Sequence, residues 1–168
     1  MSGFRGWWHL LRRFLEVLTA RPLDAQERRE ASDLLRSDAE NRIFFDQSAA
    51  DQQHGLAAAK LVAGRIELQR AALLHDVGKR QAGLGVWGRS LATALAGIHV
   101  EVHGRFRTYL DHGSLGADIL EELGAESIVV AFARHHQGER PPTITPDDWD
   151  TLQRAERKAQ TLLKRTIR

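Results

Sequence analysis

Five positions bring imidazole or carboxylate to helix ends or apolar helix faces: His54, His75-Asp76, His112, His135-His136 and Glu156. Neutral imidazole suits iron, zinc, nickel and cobalt, whereas carboxylate suits magnesium and manganese. A mixed set therefore suits a hydrolytic centre holding manganese or iron. An acid placed between two ions can bridge them at the roughly 4 Å separation of two-metal centres. The chain has no cysteine, so any metal must be held by His, Asp and Glu. Asp76 is the natural bridge, because it follows the apolar stretch AALL and is the best-buried acid by sequence. Desolvating an unpaired carboxylate is very costly, so a buried Asp needs a cationic partner or a metal.

Each of these residues also has a purely structural reading. His54 shares a helix face with Ala58, Leu61 and Val62 and could be a hydrogen-bonded core histidine. Helix-end amides or Lys79 could satisfy Asp76. His112 lies just before a helix and could cap it, and His135-His136 closes a helix whose dipole favours imidazolium. Glu156 falls on a stripe with Leu152, Ala159 and Leu163, which turns it toward the core. With a slight rotation of that helix, Glu156 would pair with Arg134 at the rim. Asp147, Asp148 and Asp150 sit in the first turn of the same helix, where cap and dipole account for them, so they are not counted as ligands.

The elements that must position these groups read as helices almost throughout, with no alternating strand pattern and no repeat. Phe4 to Leu18 carries Trp7, Leu11, Phe14, Leu15 and Leu18 on one face. Pro22 breaks that helix and can open the next, LDAQERREASDLL. A polar stretch, RSDAEN, leads to a short helix around Ile43, Phe44 and Phe45, and DQQHGLAAAKLV follows. Gln69 to Asp76 is apolar nearly all round and predicts the central buried helix, ending at Val77-Gly78 with Gly as its C-cap. Gln81 to Gly88 is a Gly-rich loop, Arg89 to Val102 a helix, and Gly104 to Asp111 a connection. Helices are predicted at Ser114–Leu123 and Glu126–His136, then a loop, QGERPPTITP. Thr145-Pro146-Asp147-Asp148 has the form of a helix start, and the last helix runs to about Leu163.

Composition excludes several classes. The 168 residues suit one domain with a helical extension, and 42% hydrophobic with 27% charged residues is the balance of a globular protein. A net charge of +2 is too weak a bias to argue for stable nucleic-acid binding. No segment approaches the roughly 20 apolar residues of a membrane span. The N-terminus is interrupted by Arg12 and Arg13 and lacks the form of a signal peptide, so a cytoplasmic location is expected. Phe4, Trp7 and Trp8 beside Arg5, Arg12 and Arg13 could lie on a membrane surface, but such a helix more often packs on its own domain or a partner.

At AALLHDVGK the chain resembles the HD-domain metal-dependent phosphohydrolases, in particular the HDIG-like branch with extra histidines. His54 in DQQHGLAAAKLV, His75-Asp76 in LLHDVGK, His112 in DHGSLGADILEELG and His135-His136 in ARHH stand in that family's order, over roughly residues 50 to 160. The resemblance implies an all-α fold: an HD-domain helical bundle at 46–168 behind an N-terminal helical extension at 1–45. It implies metal held by His54, His75 and Asp76, with a second metal on His112, His135 and His136. Lys79 matches the lysine of the family's HDxGK motif, which is expected to approach a substrate phosphate. One departure stands out. The family's closing Asp sits in an LxxAD pattern, and here Leu152-Gln153-Arg154-Ala155-Glu156 carries Glu, one methylene longer.

The function so implied is hydrolysis of a phosphomonoester, nucleotide or cyclic nucleotide. One or two divalent ions (Mn, Fe, Co or Mg) would activate water for in-line attack, with Asp76 and Lys79 as the catalytic residues. The alternative is a non-catalytic metal- or nucleotide-binding regulatory module, its Glu156 marking lost chemistry. The expected partner is a small phosphate compound, and assembly as a homodimer is left open.

Overall fold

The computed structural model of the chain describes residues 20–62, 64–82 and 111–166. The helices expected at Phe4–Leu18 and Arg89–Val102 lie outside those residues, as do the N-terminal aromatics, most of the Gly-rich loop and the connection before Asp111. Among the described residues the fold is all-α: seven α-helices and one 3-10 turn, without a strand.

The helices are α1 (Ala25–Ser32), α2 (Asp38–Phe45), α3 (Ala49–Leu61), α4 (Ile66–Leu74), α5 (His112–Glu122), α6 (Ser127–His135) and α7 (Pro146–Thr166), with the 3-10 turn at Val77–Ala82. Local chemistry sets most of their starts. Pro22 does not open α1. Asp24 does, its side chain accepting from the amides of Gln26 and Glu27 at 2.9 Å while Glu27 accepts from the Asp24 amide at 2.9 Å. This reciprocal capping box satisfies orphan donors that proline cannot. Ser37 caps α2, so that helix begins inside the polar RSDAEN stretch rather than after it. Thr145 accepts from the Asp148 amide at 3.2 Å, with Pro146 as the first helical residue of α7. Gly124 ends α5 at φ 71°, with its own amide on the Glu121 carbonyl and that of Ala125 on Leu120, a Schellman arrangement.

α4 is the central helix, as its composition predicts: Leu68, Ala71, Ala72, Leu73 and Leu74 are all buried. It packs against α3, α6 and α7, and α5 packs on α6 and on the 3-10 turn. A single core gathers side chains from both ends of the described chain, from Leu23, Ala31, Leu35 and Phe44 to Leu152, Ala155 and Ala159. Residues upstream of 46 therefore share the core that carries the later helices. The strongest polar tie is Arg70, fully buried in α4. It makes a bidentate pair with Glu40 of α2 at 2.8 and 3.0 Å, donates to the Leu34 carbonyl at 2.6 Å and reaches Glu126 at 3.1 Å. Planar guanidinium matches carboxylate geometry, and four acceptors satisfy a charge that would otherwise be prohibitive to bury.

α4 does not end in a glycine cap. His75 and Asp76 stay in a turn that runs on into the 3-10 segment, and Gly78 has no left-handed φ. Its small size serves another purpose. A Cβ at Gly78 would lie 2.0 Å from the His112 carbonyl oxygen and 2.5 Å from the Gly116 amide nitrogen. The turn after the His-Asp pair is thus pressed directly onto the first turn of α5. Among the described residues no helix is long and apolar enough to cross a membrane.

Candidate metal centre

Four elements converge on Asp76. The end of α4 delivers His75 and Asp76, α3 delivers His54, the start of α5 delivers His112, and the residue after α6 is His136. Their ligand atoms form two groups, His54 with His75 and Asp76, and Asp76 with His112 and His136, each with all its atoms within 4.8 Å of one another. Asp76 is common to both. Its Oδ2 lies 3.4 Å from His75 Nε2, and its Oδ1 lies 3.3 Å from His112 Nε2 and 3.6 Å from His136 Nε2. The rings pack edge to face around it, with centroids 5.3 Å apart for His54–His75 and 4.9 Å for His75–His136.

The histidines are set up as neutral donors. His75 Nδ1 donates to the Ala72 carbonyl at 2.9 Å, and His136 Nδ1 donates to the Ala133 carbonyl at 2.8 Å. A carbonyl can only accept, so each ring carries its proton on Nδ1 and turns a lone pair on Nε2 toward Asp76. Burial pushes the His75 imidazole down to about 3 and the His136 imidazole down to about 4, so both are uncharged at neutral pH. For Asp76, burial opposes ionisation, but the polar contacts of the surrounding imidazoles and the positive charge of Lys79 outweigh it and hold the carboxyl well below its ordinary range. A buried carboxylate beside two uncharged imidazoles, with Lys79 on one of its oxygens, is a setting that could hold a cation. Two atoms point the same way: among the described residues, His75 Nε2 and Asp76 Oδ1 are buried and find no hydrogen-bond partner. Orphaned acceptors of this kind are rare in folded proteins, and a bound ion accounts for both.

Lys79 sits at the edge of the cluster, its ammonium on Asp76 Oδ2 and 3.8 Å from Asp51 Oδ1. Glu156 is half-buried on α7, beside the buried Leu152, Ala155 and Ala159. Burial first, and the negative charge of Asp76 second, push its carboxyl up to about 7. It is therefore electrostatically coupled to the centre, yet it joins neither ligand group. The rim pairing with Arg134 is not formed, since that arginine binds Asp118 and Glu121 instead. Asp148 is engaged by Arg65, a surface ion pair rather than a ligand.

Of the two adjacent histidines, the structure brings only His136 to the centre. His135 is half-buried as the last residue of α6 and belongs to neither group. Neighbouring helical residues point about 100° apart, so one face cannot present both. The signal was available, because His136 continues the buried stripe Val129, Phe132, Ala133. Two contributors escaped the sequence reading: Asp51, which lies close to Lys79, and Gln137, whose side-chain amide lies 3.2 Å from His112 Nε2. Gln153 of α7 donates to the His136 carbonyl at 2.7 Å, which fixes the helix bearing Glu156 against the site.

Comparison with known proteins gives one result: the family model described as HD domain matches residues 54–168. No curated protein and no solved structure matches the chain.

Proposed function

The chain belongs to the HD-domain family, and from that premise we propose that it is a metal-dependent phosphohydrolase acting on a phosphomonoester, nucleotide or cyclic nucleotide. The observation that carries the reading is the pair of buried acceptors, His75 Nε2 and Asp76 Oδ1, that make no hydrogen bond among the described residues and lie within two ligand groups that share Asp76. His54, His75 and Asp76 would hold one divalent ion, and Asp76, His112 and His136 a second, with Glu156 outside both groups but electrostatically coupled to Asp76. Such ions supply Lewis acidity, activating water and neutralising charge on phosphoryl oxygens.

The chain's own groups do the rest. The Nδ1 bonds of His75 and His136 fix both rings, so their lone pairs need no reorientation when a ligand arrives. Asp76 keeps its charge in a buried setting and anchors both groups. Lys79 offers an ammonium at the edge of the cluster, where a phosphoryl oxygen would meet it.

The test is a panel of phosphomonoesters, nucleotides and cyclic nucleotides, assayed aerobically and anaerobically with Mn, Fe, Co or Mg. Turnover that falls at least a hundredfold in Asp76→Ala supports the proposal. A second reading, a non-catalytic metal- or nucleotide-binding module, rests on Glu156 standing where the family has Asp and outside both ligand groups. A metal-loaded protein that turns over nothing in the panel favours it.

A further inference from the structure

Resting on the metal centre proposed above, we infer that Asp51 is a positioning residue for Lys79, the acid that takes over its ammonium when a divalent cation claims Asp76. Lys79 contacts Asp76 through Oδ2, an oxygen that also faces His75 Nε2 at 3.4 Å. An ammonium and a divalent ion on one carboxylate repel each other, so a second carboxylate within reach gives the lysine a place to go. Asp51 supplies it. Its Oδ1 is 3.8 Å from Lys79 Nζ, and only 12% of its side chain is exposed.

Asp51 is held for that purpose by its own helix start. It lies in the first turn of α3, one turn before His54 and on the same face. Ser48, the residue capping α3, donates from Oγ to Asp51 Oδ2 at 2.6 Å and accepts from the Asp51 amide at 3.3 Å. One carboxylate oxygen is thereby fixed on the cap, and the other is the one near Lys79. The helix that brings the ligand His54 thus also brings the counter-charge for the lysine. With its ammonium on Asp51, Lys79 stays charged beside the centre and becomes available to an incoming phosphate.

The test is Mn²⁺ affinity, read by calorimetry on the full chain as wild type, Asp51→Asn, Lys79→Met and the double variant. Asn keeps an acceptor for Ser48, so the cap survives, and thermal melts verify folding. Asp51→Asn is expected to weaken Mn²⁺ binding at least fivefold and Lys79→Met to tighten it. In the Lys79→Met background, Asp51→Asn is expected to change affinity by less than twofold. An equal loss in both backgrounds would mean that Asp51 acts on the ion directly, and no loss in either would reduce it to a cap. Both results overturn the inference while leaving the metal centre standing. A wild type that binds no Mn²⁺ overturns the metal centre itself and the inference with it. If Asp51→Asn does not fold, the carbon-13 signal of the Lys79 ε-carbon in wild type decides. It is expected to shift on Zn²⁺ loading, and an unchanged signal refutes the handover.

Discussion

Replacing Gly78 by alanine tests whether the fold and the metal centre depend on the same contact. The new Cβ would lie 2.0 Å from the His112 carbonyl oxygen, 2.5 Å from the Gly116 nitrogen and 2.9 Å from the Gly116 Cα. All three atoms are backbone, so no rotamer relieves the clash. Restoring ordinary van der Waals contact requires the turn and α5 to separate by about 1.4 Å, in the range where overpacking costs about 3 kcal/mol. The alanine recovers only about 0.5 kcal/mol through a less flexible unfolded chain. For a chain of this size, about 2.5 kcal/mol lowers the melting temperature by roughly 5–10 °C. The displaced helix begins with His112, whose Nε2 is 3.3 Å from Asp76 Oδ1. Metal–ligand distances tolerate about 0.2 Å, so the second group should lose its ion. Two controls grade the effect. A Cβ at Gly116 meets the Gly78 nitrogen at 2.9 Å, a milder conflict, and one at Gly64 meets nothing within 4 Å among the described residues although its φ is +82°. Melting curves and metal stoichiometry after Mn²⁺ loading should rank Gly78→Ala as worst in both. Gly64→Ala should lose stability alone. If Gly78→Ala melts within 2 °C of wild type and keeps full stoichiometry, the close-approach argument is wrong.

Other outcomes follow from the same geometry. Burial raises the Glu156 carboxyl from 4.5 to about 7, so ionising it in the folded chain opposes stability as pH climbs through that window. The shift corresponds to about 3 kcal/mol at 1.36 kcal/mol per unit. In chelator, Glu156→Gln should therefore match wild type near pH 4.5 and exceed it by about 2–3 kcal/mol at pH 8 in urea titrations; equal stability at both pH values would place the acid in solvent. His136→Ala should remove one ion while leaving that held by His54, His75 and Asp76, whereas His135→Ala should leave the metal count unchanged by elemental analysis. Glu40→Gln leaves Arg70 without its main counter-charge and should cost about 3–5 kcal/mol, a loss that chemical denaturation would detect. Chelation should lower the melting temperature of protein loaded with Mn²⁺, because binding energy adds to folding energy.

Much of the site was legible because helical periodicity and metal chemistry agree. LLHDVGK follows an apolar helix, so Asp76 had to be buried and partnered, and the stripe through Leu152 and Ala159 turned Glu156 inward. The same periodicity would have chosen His136 over His135 had it been followed back to Phe132. Long-range pairing was not legible. Nothing near Arg70 shows that a cation inside an apolar helix is answered by Glu40, 30 positions earlier, and Glu126, 56 positions later. Gly78 misled for a related reason. A glycine past a helix end is usually a conformational device, whereas here it is a matter of space, decided by the backbone of a helix that starts at His112. Asp51 was invisible because an acid in a first turn is already explained by its cap.

The two ligand groups differ in when a growing chain can complete them. His54, His75 and Asp76 fall within 23 consecutive residues, on α3 and on the turn that ends α4, two helices that pack directly together. The second group closes only at His136, 60 residues beyond Asp76, and Glu156 follows a further 20 residues on. During synthesis, the residues of one candidate group are thus all made long before those of the other. The order of translation ranks the two positions, and only the earlier one has its full donor set in a chain stopped short of His112.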